Sequence, residues 1–394
     1  MMTAKKRIAV SLGGGYVPGL NAVITGVVLA ANELGWEAVG IRDGFDGLLF
    51  PEQYPEGGLL HFNPRIVENL ASSPGAILGT AARNDPFHVR TVNAENQVEE
   101  IDRSDDLLEK LHAEKIDAVI SVVEGRALGI LCKMARKGLP IVAVPKSVEN
   151  DVAATMLSFG FNSVLSYATE TLDRVRQAAQ AARKIGIVEV LGEHAGWLAL
   201  QSAIAVHADA ALIPEIPYDL PRVAAKLREK LSSGRHHGLV VVAEGARPIP
   251  TSRPDSKPLA SDPLKASLSP GATGDHGPHA IHRSGHAAET VALELQRLTN
   301  HETYPLVLGQ LVKGGAPTAV DRQLGLAYGA GAVRAVNEGQ TGVMVAFQPP
   351  DLTFVPLAEA VNKVRTVPVG SVFIQVARSL GISLGIEEFK ENQP

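Results

Sequence analysis

RIAVSLGGGYVPGLNAVITGVVLAANELGWEAVGI, residues 7–41, decides the fold. Its first six residues are apolar on both alternating faces, as a strand covered by helices on both sides must be. Three glycines and Gly19 then turn the chain, apolar residues follow at helical spacing from Gly19 to Leu34, and a second apolar run occupies 37–41. Strand, glycine turn, helix, strand is the unit of a parallel sheet. The same grammar recurs outward. Strands are expected at 116–123, 140–144, 185–191, 209–213, 238–243 and 341–347, with helical spacing over 127–137, 162–183 and 321–337. The reading is α/β, with two doubly wound, Rossmann-like lobes and parallel-rich sheets, since 394 residues exceed one small core. Ligands of such sheets sit beyond the carboxyl ends of the strands, so chemistry belongs in the loops that follow them.

Composition narrows the classes. With 45% hydrophobic and 20% charged residues the chain is globular rather than disordered. Thirty-seven basic against 42 acidic residues leave a net charge of -5, so no global cationic field draws it to nucleic acid or anionic lipid. No stretch approaches the ~20 apolar residues that span a bilayer. The basic N-terminus runs into the first strand and is not read as a signal peptide. Cys132 is the sole cysteine, which excludes an intramolecular disulfide and points to a reducing, cytoplasmic compartment.

One segment breaks the rhythm. Residues 247–286 hold seven Pro, four Gly and little apolar content, and read as a long surface loop. Its His276, His279, His282 and His286 have metal-ligand chemistry, but no Cys or carboxylate pattern completes a zinc signature, so a polar loop is preferred. GISLG at 381–385 matches the nucleophile-elbow pattern, yet a helical pattern precedes it and no His follows, so the match is read as chance.

Several loops carry reactive groups. GGGYVPGLN (13–21) sits between strand and helix, where backbone N–H groups and the helix terminus favour a phosphate; a tight turn without ligand would look the same. Glu124-Gly125-Arg126 offers an oxygen ligand for magnesium or, equally, a carboxylate at a helix start. Pro145-Lys146-Ser147-Val148-Glu149-Asn150-Asp151 is the most informative. A cation, a hydroxyl and two carboxylates suit a site that holds a phosphoryl group while an acid takes a proton from an alcohol. GEHAGW (192–197), Glu244-Gly245 and QLVKGG (310–315) are weaker candidates.

In order, GGGYVPGLNAVITGVV, GIRDGFDGL, LGTAARNDPF, PKSVEND, IVEVLGEHAGWLAL, VVVAEGA and LGQLVKGGAPTAVDRQLG resemble the phosphofructokinase superfamily from about residue 7 to 340. That resemblance implies transfer of a phosphoryl group from ATP or pyrophosphate to the 1-hydroxyl of fructose 6-phosphate, with Mg2+, in a glycolytic homodimer or homotetramer. It implies a donor lobe of residues 1–160 plus about 308–350, and a sugar-phosphate lobe of about 161–307 plus 351–394. By the same carry-over Glu149, Asp151 and Ser147 are catalytic and Glu124 serves the metal. Gly15, Arg83, Gly125, Arg126, Gly129 and Lys146 bind the donor. Lys184, Gly192, Glu193, Glu244, Tyr304, Gln310 and Lys313 bind the acceptor, with Lys184 and Tyr304 reaching a neighbouring subunit.

The chain departs from the family's pattern at several of these positions. Where relatives have T/S-I-D-N-D, Glu149 replaces the base Asp, and one methylene displaces a carboxylate by roughly 1 Å, a shift that can cost about a hundredfold. Gly-Gly-Asp-Gly becomes Val122-Val123-Glu124-Gly125, and Arg126 is expected either to fill the donor pocket or to grip a donor phosphate. Met-Gly-Arg becomes Leu191-Gly192-Glu193, a charge reversal adverse to a nearby phosphate. Lys146 matches pyrophosphate users and Gly125 matches ATP users, so the donor stays open. Two readings follow: a sugar-phosphate phosphotransferase with an altered site, or a non-catalytic paralogue that binds these ligands and regulates or scaffolds a partner.

Overall fold

The computed structural model describes residues 5–80, 85–92, 96–249 and 286–387. Two sheets organise them. The larger contains β1 (Arg7–Leu12), β2 (Glu37–Ile41), β3 (Leu59–His61), β6 (Ala118–Val123) and β7 (Ile141–Ser147), while β4 (Val89–Val92) and β5 (Val98–Ile101) form a separate hairpin between β3 and β6 in the chain. β8 (Phe159–Gly160) pairs with β7. The second sheet is built from β9 (Ile185–Val190), β10 (Ala210–Leu212), β11 (Gly238–Ala243) and β12 (Thr303–Val307), and the chain then returns to the first with β13 (Val343–Gln348) and β14 (Asp351–Pro356). Strand order is β14-β13-β7-β6-β1-β2-β3 in the large sheet and β10-β11-β9-β12 in the small one. Every pairing within the small sheet is parallel, and the large sheet turns antiparallel only at its two edges, β3 and β14.

Central strands are apolar throughout because both faces are covered. All six residues of β6, β9 and β11 are buried. The helix Leu20–Glu33 packs against Ala319–Asn337 so closely that a Cβ on Gly26 would lie 2.3 Å from the Leu326 carbonyl oxygen. Glycine is what lets these two backbones meet. The helix Phe161–Ala182 carries the chain from the large sheet to the small one, and its N-terminus is fixed by Asp321, whose carboxylate accepts from the Ser163 amide and hydroxyl, both at 2.6 Å.

The expected two-sheet α/β plan is present, and two differences have physical reasons. The expected lobe boundary at 350 cuts between β13 and β14, which are paired from Val343↔Pro356 to Gln348↔Asp351, so residues 351–356 belong with the large sheet. β12 was not anticipated because it is a partly exposed edge strand interrupted by Pro305, without the apolar continuity of a central strand. Of the expected surface loop, residues 250–285, with His276, His279 and His282, lie outside the described residues, while His286 opens the helix His286–Thr299. The GISLG segment follows the helix Val372–Ser379, and its Ser383 amide donates to the Asp209 carbonyl as a structural bridge. No helix among the described residues is long and apolar enough to cross a membrane.

Candidate active site

β1, β6 and β7 run parallel, so their carboxyl ends deliver three loops to one crevice. The first is the glycine turn. Gly14 has φ +75°, and a Cβ there would lie 3.4 Å from the Glu124 Cδ, which sets the Glu124 carboxylate directly against the turn. Beneath it Lys146, at the end of β7, is completely buried and donates to the Gly15 carbonyl. Burial pushes its ammonium down to about 8, the Glu124 carboxylate opposes that shift, and the Lys313 charge adds to it. Beside the turn is a pocket of about 170 Å3 lined by Ser11, Gly13, Gly14, Phe45, Asp85 and Ala127 among others. Gly129 leaves open space on the helix Leu128–Arg136.

The loop after β7 is built around one hydroxyl. Ser147 Oγ accepts from the Glu149 amide at 3.0 Å and the Asp151 amide at 3.4 Å, and donates to Asp151 Oδ1 at 2.5 Å. Between them Asn150 adopts φ +56°, a left-handed turn that asparagine tolerates, and its side chain accepts from the Ser158 amide at 3.0 Å. This knot presents Glu149 to the crevice. Burial, reinforced by the Asp151, Glu244 and Glu193 carboxylates, raises Glu149 to about 8, against the Glu193 amide that donates to it at 3.2 Å. A carboxyl poised near neutrality in a cleft has the profile of a general base.

The opposing wall comes from the small sheet. After β9, Gly192 takes φ +146° and its amide donates to Glu244 Oε1 at 3.3 Å; Glu244 follows β11. A Cβ on Gly245 would lie 2.0 Å from the Glu193 carbonyl oxygen, so the two loops touch backbone to backbone. Arg126 reaches Glu193 Oε2 at 3.1 Å and His194 Nε2 at 3.0 Å on the facing loop. The charge reversal at Glu193 is answered by this arginine.

Not every expected residue is brought here. Lys184 precedes β9, whose six residues span about 20 Å, and it pairs with Glu302 at 2.8 Å. Tyr304 donates to the Val175 carbonyl at 3.0 Å. Both lie at the opposite end of the small sheet. Gln310 and Lys313 share the 3-10 turn Gly309–Lys313, and Arg83 lies outside the described residues. Sequence reasoning missed Arg365, whose amide donates to the Asp151 carbonyl at 2.7 Å and whose guanidinium donates to the Asn150 carbonyl at 3.1 Å. Its one signal was a cation inside the Val-rich run 361–369.

A convergence of glycine turn, buried lysine and carboxylates across two sheets invites comparison with known proteins. The family model described as Phosphofructokinase matches residues 7–336. The ATP-dependent 6-phosphofructokinase of Chloroflexus aurantiacus is 36% identical over 406 aligned residues, covering 98% of this chain and 100% of that one. ATP-dependent 6-phosphofructokinase 3 of Streptomyces coelicolor is 36% identical over 365, covering 92% and 96%. The pyrophosphate-dependent phosphofructokinase structure from Marinobacter aquaeolei superposes with a TM-score of 0.72 at 19% identity, over 99% of this chain and 95% of that one, which speaks to the fold. With the match spanning both sheets and every loop of the crevice, the chain belongs to the phosphofructokinase family.

Proposed function

We propose that the chain is a magnesium-dependent 6-phosphofructokinase that moves the terminal phosphoryl group of ATP to the 1-hydroxyl of fructose 6-phosphate. The observation that carries the proposal is Glu149, half-buried, raised to about 8 and set in a crevice walled by both sheets. The 1-hydroxyl oxygen forms its bond to the γ-phosphorus as the bond to the bridging oxygen of ADP breaks, and the hydroxyl proton passes to Glu149. Lys146 and Lys313 supply positive charge beside the glycine turn, where charge spreads over the transferring group. Ser147 keeps Glu149 and Asp151 in register. Gly192, Glu193 and Glu244 present the acceptor's wall.

Magnesium suits the donor set. It takes one or two carboxylates and fills its remaining positions with water and substrate phosphates. Glu124, lying against Gly14, and Asp151 are the two acids that would hold it, and no group of three or more His, Cys, Asp or Glu is gathered for a metal among the described residues. Bound there, the ion would neutralise phosphate charge. ATP is favoured over pyrophosphate by the named relatives and by Gly125. Lys184 and Tyr304, remote from this crevice, would complete the acceptor pocket of a neighbouring copy in a homodimer or homotetramer.

A second reading, a ligand-binding subunit without turnover, is favoured by one observation, the Arg126–Glu193 pair that ties the two walls together. A coupled assay with Mg2+, fructose 6-phosphate and either ATP or pyrophosphate separates the two. Turnover with ATP is expected. No turnover with either donor, alongside calorimetric binding of fructose 6-phosphate, would install the second reading instead.

A further inference from the structure

The segment Val361 to Gly370 lies beyond the residues that match the family model, and it touches both walls of the crevice. On the large-sheet side, Val364 bridges Val152, and Arg365 holds two successive carbonyls of the base-bearing loop, Asn150 and Asp151. On the small-sheet side, the Arg365 guanidinium lies 4.1 Å from the centroid of the Trp197 ring, and the Trp197 indole donates to the Arg365 carbonyl at 2.9 Å. Two residues on, the Val367 amide donates to Glu215 Oε1 at 2.7 Å. The same Glu215 carboxylate accepts from the Gly196 amide at 3.0 and 3.1 Å. Gly196 and Trp197 end the loop that carries Glu193 and open the helix Trp197–Ala205.

We propose that Arg365 is a positioning residue for phosphoryl transfer: its backbone bonds Asp151 and Trp197 while its guanidinium bonds the Asn150 carbonyl and stacks on the Trp197 ring, and together these contacts fix the distance between the base loop and the acceptor loop. The inference rests on the function proposed above. It follows from geometry. Asn150 is in a left-handed turn, so its carbonyl points away from the hydrogen bonds of β7 and needs a donor from elsewhere. Arginine supplies that donor and an aromatic-stacking face at once, because its guanidinium donates in plane and packs on rings with its flat side. Proton transfer from the acceptor hydroxyl requires the two loops to agree to a fraction of an ångström, and a misplacement of about 1 Å can cost about a hundredfold. A clamp that spans both loops controls that agreement without touching substrate.

The test compares Arg365→Ala, Arg365→Lys and Trp197→Phe with the wild-type full chain. Arg365→Ala is expected to lower kcat for fructose 6-phosphate by about ten- to a hundredfold while the KM for ATP changes less than about twofold. Lysine, which keeps a cation and one donor but not the flat face, is expected to recover only part of the loss, and Trp197→Phe to lower kcat in the same direction by less. Hydrogen exchange supplies the arm that does not need turnover. In Arg365→Ala, amides of 148–156 and of 191–198 are expected to lose protection together while β1 and β6 keep theirs. Unchanged kcat in Arg365→Ala, equal losses for alanine and lysine, or lost protection confined to 361–370 would each overturn the proposal. If the wild type shows no turnover but the two loops still deprotect together, the function fails and the clamp stands.

Discussion

The loops after β7 and β9 face each other across one crevice, yet they are held in opposite ways. The β7 loop is tied by its own neighbours: Ser147 grips the Glu149 and Asp151 amides, and Asn150 grips Ser158, all within about ten residues. The β9 loop has almost nothing local. Gly192 leans on Glu244, Gly196 on Glu215, Glu193 on Arg126, and the Glu193 amide on Glu149. On the proposed function, the base must be fixed before substrate arrives, whereas the acceptor wall gains from partners that can rearrange. The chain contrasts a knot tied mainly by its own neighbours, with Arg365 as its distant partner, with a loop whose partners are nearly all borrowed.

The comparison breaks first at the buried cation. Lys146→Met keeps the volume but removes the charge beside the glycine turn, and kcat/KM for ATP is expected to fall on the order of 10²–10³-fold, read from steady-state kinetics with acceptor saturating. Next in size is the tension stored in the β7 knot. Glu149 titrates at about 8 when folded and near 4.5 when unfolded, so between those values the folded chain holds a proton the unfolded chain has lost. Wild-type stability therefore falls as pH rises from about 5 to 8, and Glu149→Gln should abolish that fall, gaining on the order of 2–4 kcal/mol at pH 9 in denaturant titrations. Equal pH slopes for the two proteins would show that Glu149 is not strained.

Ser147→Ala sharpens the contrast between loops. It leaves two amides and Asp151 without their shared partner, and a loss of about 1–3 kcal/mol is expected by chemical denaturation. The borrowed loop should respond least. Arg126 and Glu193 are 65% and 43% exposed, so a double-mutant cycle of Arg126→Ala and Glu193→Gln should give a stability coupling below about 1 kcal/mol. A larger coupling would mean that the pair locks the crevice rather than bridging it.

This division also explains what could be read from the chain alone. β11 was expected at 238–243 and occupies those residues, because a continuous apolar run bounded by polar turns admits one interpretation. Lys146, Glu149 and Asp151 were legible since a dense run of reactive groups followed such a strand, and local hydrogen bonds keep them together. The exposed β4–β5 hairpin and edge strand β12 lack that continuity. Arg365 and Glu215, and the meeting of Arg365 with Trp197, escaped because the partners lie some 150 residues or more apart, and no spacing rule encodes such a meeting. The answering of Glu193 by Arg126 escaped likewise: each looked like damage to a site when read singly.

The most direct measurement is the pH dependence of kcat/KM for fructose 6-phosphate, with Mg2+ and saturating ATP, for wild type and Glu149→Gln. If Glu149 is the base, the wild-type rate rises about tenfold per pH unit below about 8, and the glutamine variant loses about 10²–10⁴-fold together with that slope. A flat profile from pH 6 to 9, or a variant that turns over as fast as wild type, would contradict the account.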